Sequence, residues 1–104
     1  MSVEINFIAD EKRLDLSFDG NLDVSVWQDV CDTCRQASPE LKACIVDLTG
    51  VERVFDSGVA LLGMLNRRLR RLGATVIFLS DDTKVKERIS AVASAGWHVP
   101  SLIS

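Results

Sequence analysis

The chain has 104 residues, of which 47% are apolar, 12 are basic and 15 are acidic, and its formal net charge is −3. This length predicts a single domain over residues 1–104 whose core needs no metal or disulfide to hold it. The small negative charge gives no general attraction for nucleic acid. The start of the chain lacks the basic and apolar regions of a secretion signal, and the apolar stretch over 59–65 is too short to cross a bilayer. We therefore expect a compact cytoplasmic domain.

The three cysteines are an odd number, which argues against a disulfide framework. Cys31 and Cys34 have a spacing found in redox and metal sites, but zinc would need two more ligands, and only Cys44 and His98 remain. The pair also fits one buried helical stripe, whose members are Val24, Trp27, Cys31 and Cys34. We expect these thiols to pack as small apolar groups, with no metal and no cofactor.

The first half of the chain predicts a hairpin, a helix and a strand. Residues 3–9 and 14–18 alternate apolar and polar side chains, and the polar turn Asp10-Glu11-Lys12 joins the two half-buried strands. A helix over about 24–37 follows and ends before Pro39. Residues 41–48 form a continuous apolar run, which is typical of a strand covered on both faces.

The second half predicts a loop over 49–56 and a long helix over about 57–72, with Gly73 as its C-terminal cap. The leucines with helical spacing are Leu61, Leu62, Leu65, Leu69 and Leu72. A buried strand over 74–79 precedes a last helix over about 82–95, which Asp81 or Asp82 caps and Gly96 ends before an irregular tail. The inner stripe of this helix is Val85, Ile89 and Val92.

The predicted element order is therefore ββαβαβα. Because strand–helix–strand connections favour parallel strands, this order predicts an α/β or α+β fold with a mixed sheet that is largely parallel after the hairpin. The flanking helices should mostly cover one side of the sheet or lie at its ends.

The sequence carries little catalytic apparatus. His98 is the only histidine and has no identifiable nucleophile beside it, and both the Walker and the Gly-x-Gly-x-x-Gly phosphate-binding motifs are absent. We expect a protein that is not an enzyme and has no catalytic residues.

A cluster of arginines stands near the end of the long helix, and its members are Arg67, Arg68, Arg70 and Arg71. Cations at a helix C-terminus interact favourably with the helix dipole, and these positions lie off the leucine stripe. The cluster is either a solvated basic face or a docking surface for an acidic partner or lipid phosphate.

The junction between the apolar strand and the long helix is the most informative segment. Asp56 and Ser57 stand where a helix N-cap is expected. The free amides and the positive dipole end at such a position stabilise a carboxylate or a phosphoryl group. Two interpretations are therefore open. Either one of the two residues simply caps the helix, or the pair forms a site that stabilises an added negative charge.

This segment resembles the STAS family, which includes anti-sigma factor antagonists and the C-terminal domains of sulfate transporters. Its members have a strand ending in Asp-Leu-Ser-Gly-Val, a loop with a hydrophobic residue before Asp-Ser-Ser/Thr-Gly, and a leucine-rich helix that ends at glycine. The matching parts are Asp47-Leu48-Thr49-Gly50-Val51, Ser57-Gly58, the helix to Gly73, the strand to Leu79 and the turn Gly20-Asn21-Leu22-Asp23. The resemblance implies a STAS-like single domain and agrees with the predicted element order.

In antagonists of this family, the first serine of Asp-Ser-Ser-Gly is phosphorylated by an anti-sigma factor that is also a serine kinase, and a serine phosphatase reverses the reaction. One alignment matches the Asp-Ser dipeptide of the family with Asp56-Ser57. It puts Ser57 at this acceptor position, but it needs a one-residue deletion before Gly73. The ungapped match puts Phe55 on the family's Asp, Asp56 on the acceptor and Ser57 on the second serine. We prefer it because a deletion within the helix would rotate the leucine stripe by about 100°. The resemblance thus implies that Asp56 is the acceptor equivalent or a phosphomimic, with Ser57 as a candidate phosphorylation site.

The resemblance implies a regulatory protein-interaction module, an anti-sigma factor antagonist that binds an anti-sigma factor with serine kinase activity. The implied partner-binding residues are Thr49, Gly50, Phe55, Asp56, Ser57 and Gly58. The alternative is the small cytoplasmic STAS subunit of a lipid-transport ABC transporter, with a permease or ATPase as partner. Arg53-Val54 and the following Gly-Val-Ala-Leu-Leu stretch resemble that branch. Neither role implies direct nucleic-acid contact or membrane insertion.

Overall fold

A computed structural model of the chain describes residues 2–36 and 40–90. The predictions at Pro39, Val92, Gly96 and His98, and for the tail over 97–103, lie outside these residues. Within the described ranges, no helix is long and apolar enough to span a membrane.

The four strands form one mixed sheet in the order β1-β2-β3-β4. Their bounds are Ser2–Ile8 for β1, Arg13–Leu22 for β2, Ala43–Val54 for β3 and Thr75–Leu79 for β4. β1 is antiparallel to β2, whereas β2, β3 and β4 run parallel. The predicted hairpin and mixed sheet are confirmed, and the hairpin turns through a 3₁₀ segment, Ala9–Glu11.

Within residues 2–36 and 40–90, three α-helices follow the three parallel strands, so each begins at the edge where these strands end. Their bounds are Trp27–Gln36 for α1, Asp56–Arg71 for α2 and Thr83–Ser90 for α3, and a 3₁₀ turn, Val24–Val26, precedes α1. The ββαβαβα order is confirmed. This topology gathers the helix N-termini on one side of the molecule, where ligands of parallel α/β sheets commonly bind.

The core lies on one face of the sheet, against the leucine stripe of α2. Alternate residues of β2, β3 and β4 are buried, and the residues between them are half-buried or exposed. The prediction that the apolar run over 41–48 is covered on both faces is therefore wrong. Ile45 is only half-buried because no helix of the described chain covers the second face at this position.

The edge strand β1 extends beyond the core. Ile5 and Phe7 pair with the buried Leu16 and Leu14, yet they are 41% and 58% exposed. Val3 packs against the core and Ile8 is half-buried, but the middle of the strand is exposed, because an outermost strand receives less cover from the helices packed on the sheet centre.

The predicted buried stripe of α1 is wrong. Trp27 is exposed and Cys31 is half-buried, while the side chains of Val24 and Cys34 lie outside the description. The buried residues are Val26, Val30 and Thr33, which also have helical spacing. The two stripes are offset by one residue and both fit the helical spacing, so the spacing alone does not select the buried one.

The predicted loop over 49–56 is also wrong, because β3 continues to Val54 and pairs with the end of β2. Two register shifts, between Ser17 and Asp19 and between Gly20 and Asn21, allow this pairing to continue. Gly50 allows a close approach of the two strands here, since a Cβ would lie 2.9 Å from Asp19 Oδ1 and 3.1 Å from the Phe18 carbonyl oxygen.

Two predicted helix caps are confirmed. Gly73 has a φ of +89°, its N–H donates to the carbonyl of Arg70, and the N–H of Ala74 donates to the carbonyl of Leu69. These two bonds make a Schellman motif. Of the two aspartates before α3, Asp82 is the cap, since its Oδ1 accepts a hydrogen bond from the Lys84 N–H at 2.8 Å.

Candidate functional site

The N-cap of α2 is Phe55, so the prediction that Asp56 or Ser57 caps this helix is wrong. The Phe55 N–H donates to the carbonyl of Leu22 at 2.9 Å, which makes Phe55 the last extended residue. Its own carbonyl accepts the first helical bond, from the Val59 N–H at 3.0 Å. Asp56 and Ser57 are consequently the first two residues of the helix, where a side-chain negative charge still faces the positive dipole end.

Gly58 fixes the position of this junction against the sheet. It is buried, and a Cβ on it would lie 2.3 Å from the carbonyl oxygen of Leu22 and 2.8 Å from its Cγ. The first turn of α2 therefore approaches the end of β2 more closely than any side chain allows. The Gly-x-Leu-Asp turn and the Ser-Gly pair, read as separate motifs in the sequence, meet here at Leu22.

Arg88 of α3 links the junction to the third helix. Its guanidinium forms an ion pair with Asp56, and its Nε donates to the carbonyl of Val54 at 3.2 Å. The Asp56 side chain is 95% exposed and that of Arg88 is 47% exposed, so the ion pair itself adds little stability. The ion pair brings the start of α2 and the side of α3 together at this surface.

Phe55 is an exposed aromatic residue at the start of α2, with 39% of its surface accessible. The Arg53 guanidinium lies 5.8 Å from the centroid of its ring, within the range of a cation–π interaction. The ring is thus presented on a backbone held by Leu22 and Gly58. We define the exposed side chains of Phe55, Asp56 and Ser57 as the junction surface.

A groove runs beside the junction surface, between the end of β3 and the start of α3. It is lined by Glu52, Arg53, Val54, Lys84, Val85 and Arg88. Three of these six residues are basic and one is acidic, so the groove favours anionic groups. Sequence reasoning missed Arg88, because a pairing across 32 residues leaves no local spacing signal.

Thr49 and Gly50 lie apart from the junction surface. The Thr49 N–H and hydroxyl donate to Asp47 Oδ1, at 2.9 Å and 2.6 Å, so this threonine is engaged within its own strand. The strand from Thr49 to Phe55 spans roughly 20 Å at about 3.3 Å per residue. The structure brings together Phe55, Asp56, Ser57 and Gly58 of the predicted set, and it places the other two at a distance.

The turn after Leu22, which leads from β2 into α1, is capped by the side chain of Asp23. Hydrogen bonds from the Ser25 hydroxyl and backbone N–H lower the pKa of the Asp23 carboxyl. The N–H bond measures 2.8 Å and closes the 3₁₀ turn that follows Leu22. Asp23 therefore stays ionised to lower pH than an ordinary aspartate and holds the chain as it leaves β2.

The described residues contain no group of three or more histidine, cysteine, aspartate or glutamate side chains able to hold a metal ion. Cys31 is half-buried and Cys44 is buried, and both are free thiols. The chemistry of the site is therefore that of an exposed aromatic ring, a carboxylate, a hydroxyl and a neighbouring basic groove.

Sequence comparison identifies no matching family model and no matching curated protein. Comparison of the structure with solved structures does find relatives of the fold. The unphosphorylated anti-sigma factor antagonist SpoIIAA matches with a TM-score of 0.76 and 14% identity, covering 95% of this chain and 87% of that chain. An RsbS variant from Moorella thermoacetica matches with a TM-score of 0.79 and 16% identity, covering 96% and 86%.

A third match is the STAS domain of an anti-sigma factor antagonist from Rhodobacter sphaeroides, with a TM-score of 0.59, 23% identity and coverage of 74% and 83%. The architecture is thus a compact α/β domain with a mixed four-stranded sheet. More particularly, the chain has the STAS fold, as its sequence motifs imply.

Proposed function

We propose that this protein is a non-enzymatic regulatory module that binds an anti-sigma factor with serine kinase activity through its junction surface. The observation that carries the proposal is the exposed Phe55 ring beside Asp56 and Ser57, on a backbone fixed by the contact of Gly58 with Leu22. The fold shared with anti-sigma factor antagonists supports the same role. We place this binding in the cytoplasm.

The physical character of the junction surface suits protein recognition. An aromatic side chain has only two side-chain torsions, so it loses little conformational entropy on binding and can fill a pocket of the partner. Charged groups beside such an anchor contribute orientation and specificity. Thr49 and Gly50, roughly 20 Å along the chain, remain proposed contacts at the margin of a larger interface.

Asp56 is proposed as the equivalent of the family's acceptor residue, carrying a fixed negative charge. Its ion pair with Arg88 supports this assignment, because the carboxylate has a partner within the chain. Asp imitates phosphoserine incompletely, having about one charge instead of nearly two. Ser57 is the adjacent candidate acceptor, and a phosphoryl group there would add negative charge beside Asp56 and the basic groove.

The proposal is tested by purifying the tagged protein from its own cells and identifying the associated proteins by mass spectrometry, with the tag alone as control. We expect an anti-sigma factor of the serine kinase type, and a serine phosphatase if the switch is reversible. Recovery of a permease and an ATPase instead would contradict the proposal and support the transporter alternative.

The intact mass of the same purified protein tests the phosphorylation step. A phosphorylated fraction in the wild type that disappears in Ser57→Ala would establish Ser57 as the acceptor. An unmodified wild-type chain, recovered together with an active kinase, would leave Asp56 as a permanent charge and contradict control through Ser57.

A further inference from the structure

The outward side of α2 forms a basic surface that is separate from the junction surface. We define the outer face as the residues of α2 outside the buried leucine stripe, which are Ala60, Gly63, Arg67, Arg68 and Arg71, with Met64 at its margin packed against the core. Ala60 and the three arginines are exposed, and Gly63 and Met64 are half-buried. From Asp56 onward, α2 contains no other acidic residue, so nothing on the helix balances these charges.

The arginines of the outer face differ from the other arginines of the chain. The side chains of Arg67, Arg68 and Arg71 make no hydrogen bond or ion pair with any described residue. The other five are engaged: Arg13, Arg35 and Arg88 with carboxylates, Arg53 with a phenyl ring, and Arg70 with the amide oxygen of Asn66. Unpartnered guanidinium groups are therefore concentrated on this one face.

Helix stability alone does not explain this arrangement. The helix dipole favours cations in the last turn, which contains Arg68, Arg70 and Arg71 but not Arg67. Arg67 and Arg71 are four residues apart on the same face, and like charges at this spacing destabilise a helix by roughly 0.2–0.5 kcal/mol. Repulsion between the arginines of this face thus destabilises the isolated helix, and an acidic partner would reduce that repulsion.

The outer face is also open to close approach. A Cβ on Gly63 would meet no neighbouring heavy atom within 4 Å, so no other described part of the chain covers this position. Small residues on a helix surface allow the backbone of a second helix to approach closely. Ala60 and Gly63 therefore leave a shallow surface, directly N-terminal to the arginines, on which a second helix can pack.

We propose that the outer face of α2 binds an acidic helix of a partner protein, with carboxylates spaced to reach Arg67, Arg68 and Arg71. Arginine forms bidentate bonds with carboxylates, which suits this role. A membrane is disfavoured because the outer face has no large aromatic or leucine anchor. RNA is disfavoured because no aromatic residue accompanies the arginines.

This proposal stands apart from the proposed function. Ser57 and Arg67 are ten positions apart on α2, which corresponds to about 15 Å along the helix axis. The outer face can therefore bind its partner whether or not the junction surface binds an anti-sigma factor. A substitution in one surface leaves the side chains of the other unchanged. The two proposals can therefore be tested, and can fail, independently.

The test is a titration of the purified protein with a synthetic helical peptide carrying glutamates at positions i, i+4 and i+7, with the glutamine version of the peptide as control. We expect binding to the glutamate peptide alone, and we expect it to weaken as salt rises, because charge pairs at this exposed surface are screened. Absence of such binding would overturn the proposal, as would equal binding of the glutamine peptide.

Matched variants locate the binding. The triple variant Arg67→Gln, Arg68→Gln, Arg71→Gln is expected to lose at least about tenfold in affinity, which equals about 1.4 kcal/mol. The control variant Arg35→Gln, Lys42→Gln, Lys86→Gln removes the same charge from positions outside both the outer face and the basic groove and should bind as the wild type does. Equal losses in both variants would mean a general charge effect and would contradict the proposal. Vesicles of phosphatidylglycerol are the second arm, and binding to them but not to the peptide would contradict it as well.

Discussion

Gly58 and Gly63 lie on the same helix but have opposite surroundings. A Cβ on Gly58 would overlap the backbone of Leu22, whereas a Cβ on Gly63 would meet nothing within 4 Å. The glycine in the Ser-Gly pair is thus a packing requirement of the junction, and the second glycine is a helix position that tolerates a side chain.

We therefore expect Gly58→Ala to lower the free energy of unfolding by about 1–3 kcal/mol, because the overlap forces the backbone to move. Gly63→Ala is its matched control and should raise the free energy of unfolding by roughly 0.5–1 kcal/mol, because alanine loses less backbone entropy in a helix. Chemical denaturation of both variants measures the difference. Equal effects of the two substitutions would contradict the close approach of α2 to β2.

Single residues of the junction show how far sequence reasoning reaches. Asp56 and Ser57 are identified by their spacing from Gly58 and by the family resemblance. Arg88 is not, because its contacts with Asp56 and Val54 join residues more than 30 positions apart. The predicted N-cap is wrong because polar residues such as Asp and Ser are the usual caps, and the prediction follows that preference. In the structure, the hydrogen bond from the Phe55 N–H to the Leu22 carbonyl makes Phe55 the N-cap.

At the scale of elements, the start of α3 offers a direct test of a side-chain cap. Asp82 Oδ1 accepts hydrogen bonds from the N–H groups of Lys84 and Val85, at 2.8 Å and 3.4 Å. Asp81 is exposed and precedes the cap. The two neighbouring aspartates therefore differ in structural role, although the sequence leaves either of them open as the cap.

We expect Asp82→Ala to cost about 1 kcal/mol of stability, as other N-cap substitutions by alanine do. For a domain of this size, that loss lowers the melting temperature by roughly 4–8 °C. Asp81→Ala should change the stability by less than about 0.5 kcal/mol, which is the usual range at surface positions. Thermal denaturation of the two variants decides the assignment, and a larger loss in Asp81→Ala would contradict it.

Some elements were predictable and others were not, for physical reasons. α2 and the β1–β2 hairpin follow from clear periodicity, since leucines every three or four residues and alternating strands are strong local signals. The length of β3 was underestimated because Thr49-Gly50 is a typical turn sequence, whereas pairing with the bulged end of β2 keeps it extended. The predicted inner face of α1 is wrong because two stripes, offset by one residue, fit the helical spacing, and only packing against the rest of the domain selects Val26 and Val30.

At the scale of the whole molecule, parallel strands place the starts of all three helices on one side of the domain. The junction surface and the basic groove lie on this side, where α3 contributes Arg88 to the start of α2. The outer face continues along the same helix toward its other end. One helix thus carries two surfaces, an aromatic and acidic one at its start and a basic one near its end.

Two exposed phenylalanines at opposite ends of the sheet allow a matched test of the junction surface. Phe55 follows the C-terminal ends of β2 and β3, whereas Phe7 pairs with Leu14 near the start of β2. Both side chains are substantially exposed, at 39% and 58%. Replacing either by alanine removes a similar aromatic surface, but only Phe55 belongs to the proposed binding site.

The most direct test of the account is a titration of the recovered anti-sigma factor with the wild type, Phe55→Ala and Phe7→Ala, after thermal denaturation has shown that all three are folded. We predict that Phe55→Ala weakens binding at least about tenfold, or about 1.4 kcal/mol, and that Phe7→Ala binds within about twofold of the wild type. Wild-type affinity in Phe55→Ala, or an equal loss in both variants, would contradict the claim that the junction surface is the partner-binding site.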